Sequence, residues 1–217
     1  MIYYTVKGVA MLKGIIDLLN TYQPNTKGVS REASVMIPLI HSDDQWHILF
    51  EKRAFHLKAQ PGEVCFPGGM MEPHETSLEA CIRETSEELC LDLDSIEVVG
   101  QLDSLNTAFD MIIHCHVGIL HTELSSIQPN AEEVDSIFTV PISFLTETTP
   151  QKHMIRNQLI APFDFPLKDL PNGEDYQLRE KNMPVLFYHY ENQIIWGLTA
   201  KMLDQFQSLL LEKEKPK

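Results

Sequence analysis

Three glutamates, Glu84, Glu87 and Glu88, fall within a little over one helical turn of the stretch SLEACIRETSEELC. Carboxylates three and four residues apart on a helix repel by about 0.2–0.5 kcal/mol per pair, so the grouping needs a reason. Taken alone, E-x-x-E-E is most simply a solvated acidic face. Three hard oxygen donors aimed at one spot also describe a site for Mg²⁺ or Mn²⁺. The spacing by itself does not choose between them.

The elements that must position these acids are partly legible. Thr76-Ser77-Leu78-Glu79 has the form of a capping box and predicts a helix from about 76 to 90. At about 100° per residue, Leu78, Cys81, Ile82, Thr85 and Leu89 share the sector expected to pack on the core. Glu84, Glu87 and Glu88 are expected together on a flank, neither buried nor spread over the solvent face. Arg83 points elsewhere, with Glu75 near enough in sequence to pair with it and pin the preceding loop.

Around this helix, ASVMIPLI reads as a buried strand and QWHILFEK as a half-exposed one with Trp46, Ile48 and Phe50 on its apolar face. The SDD between them predicts a hairpin. Residues 54–69 read as a Gly- and Pro-rich loop. IEVVGQL and MIIHCHVGIL predict strands joined by a polar turn around Asn106, and SIFTVPISFL a strand running into a helical turn at Pro141. Residues 150–182 carry no periodic signal. PVLFYHY and IIWG predict a late hairpin, and LTAKMLDQFQSLLLEK a C-terminal amphipathic helix. Strands and helices interleave irregularly, which predicts an α/β chain with a mixed sheet sandwiched by helices. Residues 1–30 are expected to be an N-terminal extension with a short helix, and 31–217 one domain.

Composition narrows the partners. A net charge of -14 with a pI near 5.0 argues against sequence-independent nucleic-acid binding, which relies on clustered Lys and Arg. Cys65, Cys81, Cys90 and Cys115 lack zinc-ligand spacing, no stretch reaches the ~20 apolar residues of a membrane span, and no secretory signal or peroxisomal ending is seen. Reduced thiols in a cytoplasm are expected.

The longer pattern decides the reading of the acids. Gly69, Glu75, Arg83, Glu84, Glu87, Glu88 and Leu91 match in register the Nudix box, G-x5-E-x7-R-E-U-x-E-E-x-G-U, with U a bulky aliphatic residue. Thr85 replaces an aliphatic residue and Cys90 replaces the last glycine. The resemblance implies a Nudix-type α/β/α sandwich with a mixed β-sheet, and a loop–helix–loop that binds Mg²⁺ or Mn²⁺ against a substrate diphosphate attacked by water. It makes Glu84, Glu87 and Glu88 metal ligands, the Gly69 carbonyl a further one, and Glu75 and Arg83 structural. The implied base is Glu87 or Glu88, or Glu133 from outside the box.

The stretch LFEKRAFHLKAQPGEVCFPGG resembles the coenzyme A diphosphatase signature, L-L-T-x-R-[SA]-x3-R-x3-G-x3-F-P-G-G, with Leu49, Arg53, Ala54, Gly62, Phe66, Pro67, Gly68 and Gly69 in register. Phe50 departs conservatively, Glu51 does not, and Lys58 keeps the second arginine's charge without its fork. This branch implies coenzyme A or an acyl-CoA as substrate, cleaved to 3′,5′-ADP and (acyl-)4′-phosphopantetheine. Arg53, Lys58 and Phe66 are the expected substrate contacts. The alternatives are another nucleoside diphosphate, such as ADP-ribose or NADH, and a catalytically silent nucleotide-binding module. The implied partner is a small nucleotide, with no nucleic acid and no membrane, and a homodimer stays open as the assembly.

Overall fold

The computed structural model describes residues 31–107 and 110–213, so the expected N-terminal extension lies outside the described residues. The sheet begins with the expected hairpin: β1 (Arg31–Ser42) pairs antiparallel with β2 (Gln45–Arg53), closing at Ser42↔Gln45. Asp43 and Asp44 both take positive φ, 50° and 60°, as a two-residue turn matched to strand twist requires.

β1 is the middle of the sheet. On its other side it pairs in parallel with β7 (Met111–Leu120), from Arg31↔Met111 to Leu39↔Ile119. β5 (Ile96–Gln101) and the short β6 (Leu105–Asn106) pair antiparallel with β7, and β8 (Val134–Pro141) antiparallel with β2. One parallel pair among antiparallel ones makes the sheet mixed, as expected.

Alternation along β1 and β2 splits the core between two faces. Met36, Ile40 and Leu49 pack with Cys81 and Leu89 of α1 (Ser77–Leu89). Ile37, Ile48 and Phe50 pack on the opposite face with Ala200, Leu203 and Phe206 of α3 (Gly197–Lys213). Tyr188 and Ile195 join that second layer from β10 (Glu180–Tyr190) and β11 (Gln193–Trp196). β2 is therefore covered on both faces rather than half-exposed. A single-strand alternation reading missed the helix on its second side.

Two stretches differ from expectation. The loop over 54–69 contains β3 (Val64–Cys65), paired with β2, and β4 (Gly68–Met70), paired with β1. The unreadable stretch after the short α2 (Ile142–Glu147) forms β9 (Gln151–Gln158), which pairs with β10 from Gln151↔Phe187 to Gln158↔Glu180. Every residue of β9 is exposed, so no buried face marks it in the sequence.

α1 is fixed at both ends. Thr76 accepts from the Glu79 N–H while Glu79 accepts from the Thr76 N–H, the complete capping box. At the far end Cys90 takes the left-handed conformation, φ 52° and ψ 48°, where the family pattern carries glycine. The turn is held by the Cys90 and Leu91 amides, both donating to the Ser86 carbonyl, and by Ser86 Oγ donating to Leu91 O at 2.6 Å. A side chain at such a φ costs about 1–2 kcal/mol, against about 0.5–1 kcal/mol of added unfolded-chain entropy for glycine. Cys90→Gly is expected to raise the stability to urea by up to about 1 kcal/mol; a loss of stability would show that the thiol contributes packing that this geometry does not account for.

Candidate active site

The pleat of β2 lays the floor of the site. Leu49 faces α1, so Glu51 and Arg53, two and four residues on, face the same way. Glu51 is 1% exposed, opposite Cys65 on β3 and Ile137 on β8, and neither carboxylate oxygen has a hydrogen-bond partner among the described residues. It lies within hydrogen-bonding reach of Glu88. Two ionised carboxylates only accept, so the pair forms no bond unless a proton or a cation stands between them. Burial first, then the Glu88 charge, holds the Glu51 carboxyl well above the ordinary range.

Glu88 itself is 3% exposed, which corrects the expectation of an unburied flank. It sits seven residues after Cys81, about 20° away on the wheel, and so belongs with the core face. Its Oε2 accepts the Gly68 N–H at 2.7 Å. Burial pushes Glu88 up to about 7; the Gly68 amide pulls it down, while Glu84 and Glu133 push it up. Of the expected core sector, Leu78 is instead 43% exposed.

Two glycines make the close approach possible. Gly68, at φ +152°, would with a Cβ meet the Ser34 carbonyl at 2.4 Å and Val35 Cα at 2.6 Å. A Cβ on Gly69 would stand 2.5 Å from the Glu84 carboxylate. The Pro-Gly-Gly turn is thus bare where the sheet backbone and the helix acids come nearest.

The outer acids are gathered by Arg83. Its Nε and Nη2 donate to the two oxygens of Glu75 at 2.8 and 3.0 Å, and Nη1 donates to Glu84 at 2.8 Å and Glu87 at 3.2 Å. Nη2 also reaches the Met70 carbonyl at 3.3 Å, tying the helix to β4. The expected Glu75–Arg83 pair is therefore a bidentate fork, which holds Glu75 down to about 2. Burial raises Glu84, against the pull of Arg83.

Glu133 arrives from a loop tied down at both sides: the Asn130 amide donates to Glu88 O at 2.8 Å and the Ala54 amide to Glu133 O at 2.9 Å. Its charge raises Glu51, Glu84 and Glu88, so it lies within electrostatic range of all three. Arg53, two residues after Glu51 on β2, lowers Glu51 and Glu88 through its charge without an ion pair to either, and its Nε donates to Ala59 O at 3.4 Å. Lys58 is exposed in the loop after β2. Phe66 departs from its expected place against a substrate: it is 3% exposed and stacked on Phe50, centroids 4.8 Å apart, because the short β3 carries it into the core. Phe55, 64% exposed, is the aromatic left at the surface, with Lys52 Nζ 5.2 Å from its centroid.

Glu51, Glu84, Glu88 and Glu133 thus converge, with Glu87 at the edge, its side chain 58% exposed. Among the described residues, no three or more His, Cys, Asp or Glu side chains are grouped so as to hold a metal ion as they stand. The Arg83 contacts turn Glu84 and Glu87 toward the guanidinium, and an ion would draw those arms off it. The donors nonetheless suit Mg²⁺ or Mn²⁺: all are hard oxygens, Gly69 leaves room beside Glu84, and Glu51 has two unpartnered oxygens. Glu51 is the site residue that sequence reading passed over. Its signal was the departure from the signature's threonine, two residues after a core leucine.

Comparison with known proteins agrees with this geometry. Residues 30–158 match the family model described as NUDIX domain. "Nudix hydrolase 3" of Caenorhabditis elegans is 33% identical over 180 residues, covering 82% of this chain and 72% of the relative. The "Peroxisomal coenzyme A diphosphatase NUDT7" of Mus musculus is 30% identical over 185 residues, covering 85% and 72%. In fold, the chain is similar to the crystal structure of a MutT/nudix family protein from Enterococcus faecalis, with TM-score 0.51 at 13% identity, over 92% of this chain and 69% of that one.

The Glu75 fork has a pH signature. A carboxylate lowered from 4.5 to about 2 in the fold contributes stability that is complete above its unfolded value and is lost as pH falls toward 2. Glu75→Gln is therefore expected to lower the urea midpoint most above about pH 5, with the gap to wild type closing between about pH 4.5 and 2. A gap independent of pH would mean that Glu75 does not hold Arg83 through its charge.

Proposed function

The chain belongs to the Nudix family of hydrolases acting on diphosphate bonds, and from that premise we propose that its substrate is coenzyme A or an acyl-CoA, cleaved to 3′,5′-ADP and the (acyl-)4′-phosphopantetheine. The observation that carries this reading is Arg53. It stands on β2 beside the inner carboxylates, at the head of a loop that Gly62 N–H closes onto Arg53 O at 3.0 Å. In a chain of net charge -14, a cation held beside the metal-ligand candidates is where a multiply phosphorylated nucleotide can be anchored. Lys58 on the same loop offers a second charge for the 3′-phosphate. The similarity to a named coenzyme A diphosphatase supports the same substrate class.

Glu84, Glu87, Glu88 and the Gly69 carbonyl would hold Mg²⁺ or Mn²⁺. When bound, the ion supplies the positive charge that the diphosphate oxygens need as the bond breaks. The chain's own groups do the rest. Gly68 N–H orients Glu88, Arg83 keeps the helix acids grouped, and Arg53 binds the diphosphate flank. Glu133, on its anchored loop, takes the proton from the attacking water, with Glu87 and Glu88 as the other carboxylates within the site. A cavity of about 560 Å³ borders the same loop, lined by Lys52, Gly62 and Val64 with the stacked rings of Phe187 and Trp196. It is large enough for a nucleotide base or the pantetheine arm. Free thiols at all four cysteines suit the cytoplasm, where we place the enzyme.

A screen of coenzyme A, acetyl-CoA, ADP-ribose and NADH with Mg²⁺ or Mn²⁺, products identified by mass, tests the substrate. Coenzyme A should yield 3′,5′-ADP; cleavage of ADP-ribose with coenzyme A untouched would overturn the assignment. Arg53→Ala is expected to raise KM for coenzyme A about 10- to 100-fold, the loss of one charged hydrogen bond. Glu88→Gln should abolish turnover together with metal binding, whereas Glu133→Gln should cut kcat by about 10²- to 10⁴-fold with metal binding intact.

A further inference from the structure

Glu51, like Glu133, is an acid of the site that neither the box nor the signature supplies, and it alone of the two is fully buried on the sheet. It is 1% exposed on a central strand, and both its oxygens lack partners among the described residues. A buried carboxylate without a partner is costly and calls for one, whether a proton, a water or a cation. The strand already offers what a bystander would need to be apolar: Leu49, on the same face, is fully buried against α1. Glu51 instead reaches Glu88, whose Oε2 is engaged by the Gly68 N–H, with Glu133 within electrostatic range of the pair. Cys65, its cross-strand neighbour, offers no cation, and Arg53 sits beside the pair without an ion pair to either acid that meets bonding distance.

We propose that Glu51 is a metal ligand supplied by the sheet: with Glu88 it forms an inner carboxylate pair that holds a divalent cation beneath α1, on the floor of the box site. The proposal rests on the reading of Glu84, Glu87 and Glu88 as ligands and adds a donor from outside their helix. Its physical basis is charge balance. As anions, two buried carboxylates in reach of each other have one amide and the nearby Arg53 as their compensation, and a divalent ion would supply the positive charge that lets both stand ionised. The oxygens are hard, they approach from strand and helix on opposite sides, and the ion would join the two layers that Gly68 already brings together.

The test is Mn²⁺ binding to the full chain, read from the paramagnetic resonance of free Mn²⁺ and from the metal-induced rise in Tm. Glu51→Gln keeps size and loses charge; Glu51→Thr introduces the residue the signature carries, well suited to a strand. Without metal, both variants should unfold at or above the wild-type temperature. Both should bind Mn²⁺ at least tenfold more weakly, with a smaller metal-induced rise. Glu87→Gln serves as the reference. If it weakens Mn²⁺ binding while both Glu51 variants bind like wild type, Glu51 only shares a proton with Glu88 and the inference fails alone. If wild type itself binds no Mn²⁺, the reading of the box fails with it.

Discussion

A buried carboxylate accepting one backbone amide is the contact on which the site depends. Glu88 is 3% exposed, and its Oε2 takes the Gly68 N–H at 2.7 Å. An acid so placed is costly without that donor. For the donor to be there, β4 must lie against β1 in the register Gly68↔Val35, where a Cβ on residue 68 would meet the Ser34 carbonyl. For the acceptor to be there, α1 must be set to within a fraction of a turn, since one residue of slip rotates a side chain by about 100°. The capping box at Thr76, the left-handed Cys90 and the bond from Ser34 Oγ to the Ser77 carbonyl at 2.6 Å fix that setting.

The helix tolerates its acids because their compensation is divided. Arg83 serves the outer ones, spanning Glu75, Glu84 and Glu87 from a single guanidinium and anchoring on the Met70 carbonyl. Lysine offers no comparable fork; the planar guanidinium reaches five acceptor oxygens in fixed directions. The inner acids, Glu88 and Glu51, face the sheet and receive one amide and the neighbouring Arg53. That imbalance between outer and inner acids makes the floor of the site the place where added positive charge is worth most.

Much of this was legible in sequence, for identifiable reasons. The helix, its cap and the Glu75–Arg83 fork follow from local rules in which each partner is within eight residues of the other. The β1–β2 hairpin and α3 announce themselves by alternation and amphipathic period. What escaped depended on the second layer. Glu88 was grouped with Glu84 and Glu87 by its charge, although its seven-residue spacing from Cys81 puts it on the buried side. Glu51 was hidden by reading β2 as one apolar face, when α1 covers the other. β3 and β4 are two and three residues long, too short for any period, and Phe66 goes into the core because of them. β9 has no buried face to show.

The same division explains why an acidic protein can handle an anionic substrate. Over distances beyond the Debye length, about 8 Å at physiological salt, the net charge of -14 is screened, and the field at the site is set by near neighbours. Those neighbours are the acids at the floor and along the helix and Arg53 on the strand, while Lys58 is exposed on the loop that follows. On the proposed reading, Arg53 and Lys58 would meet the substrate's phosphates, and the carboxylates would hold its divalent counter-ion. Under the proposed function, selectivity for a nucleotide bearing a further phosphate would depend on the loop between Arg53 and Gly62, which the Gly62–Arg53 hydrogen bond closes, more than on the box itself. The proposed substrate choice and the diphosphate chemistry would thus fall to different elements, the loop after β2 and the helix α1, with Gly68 bonded to Glu88 between them.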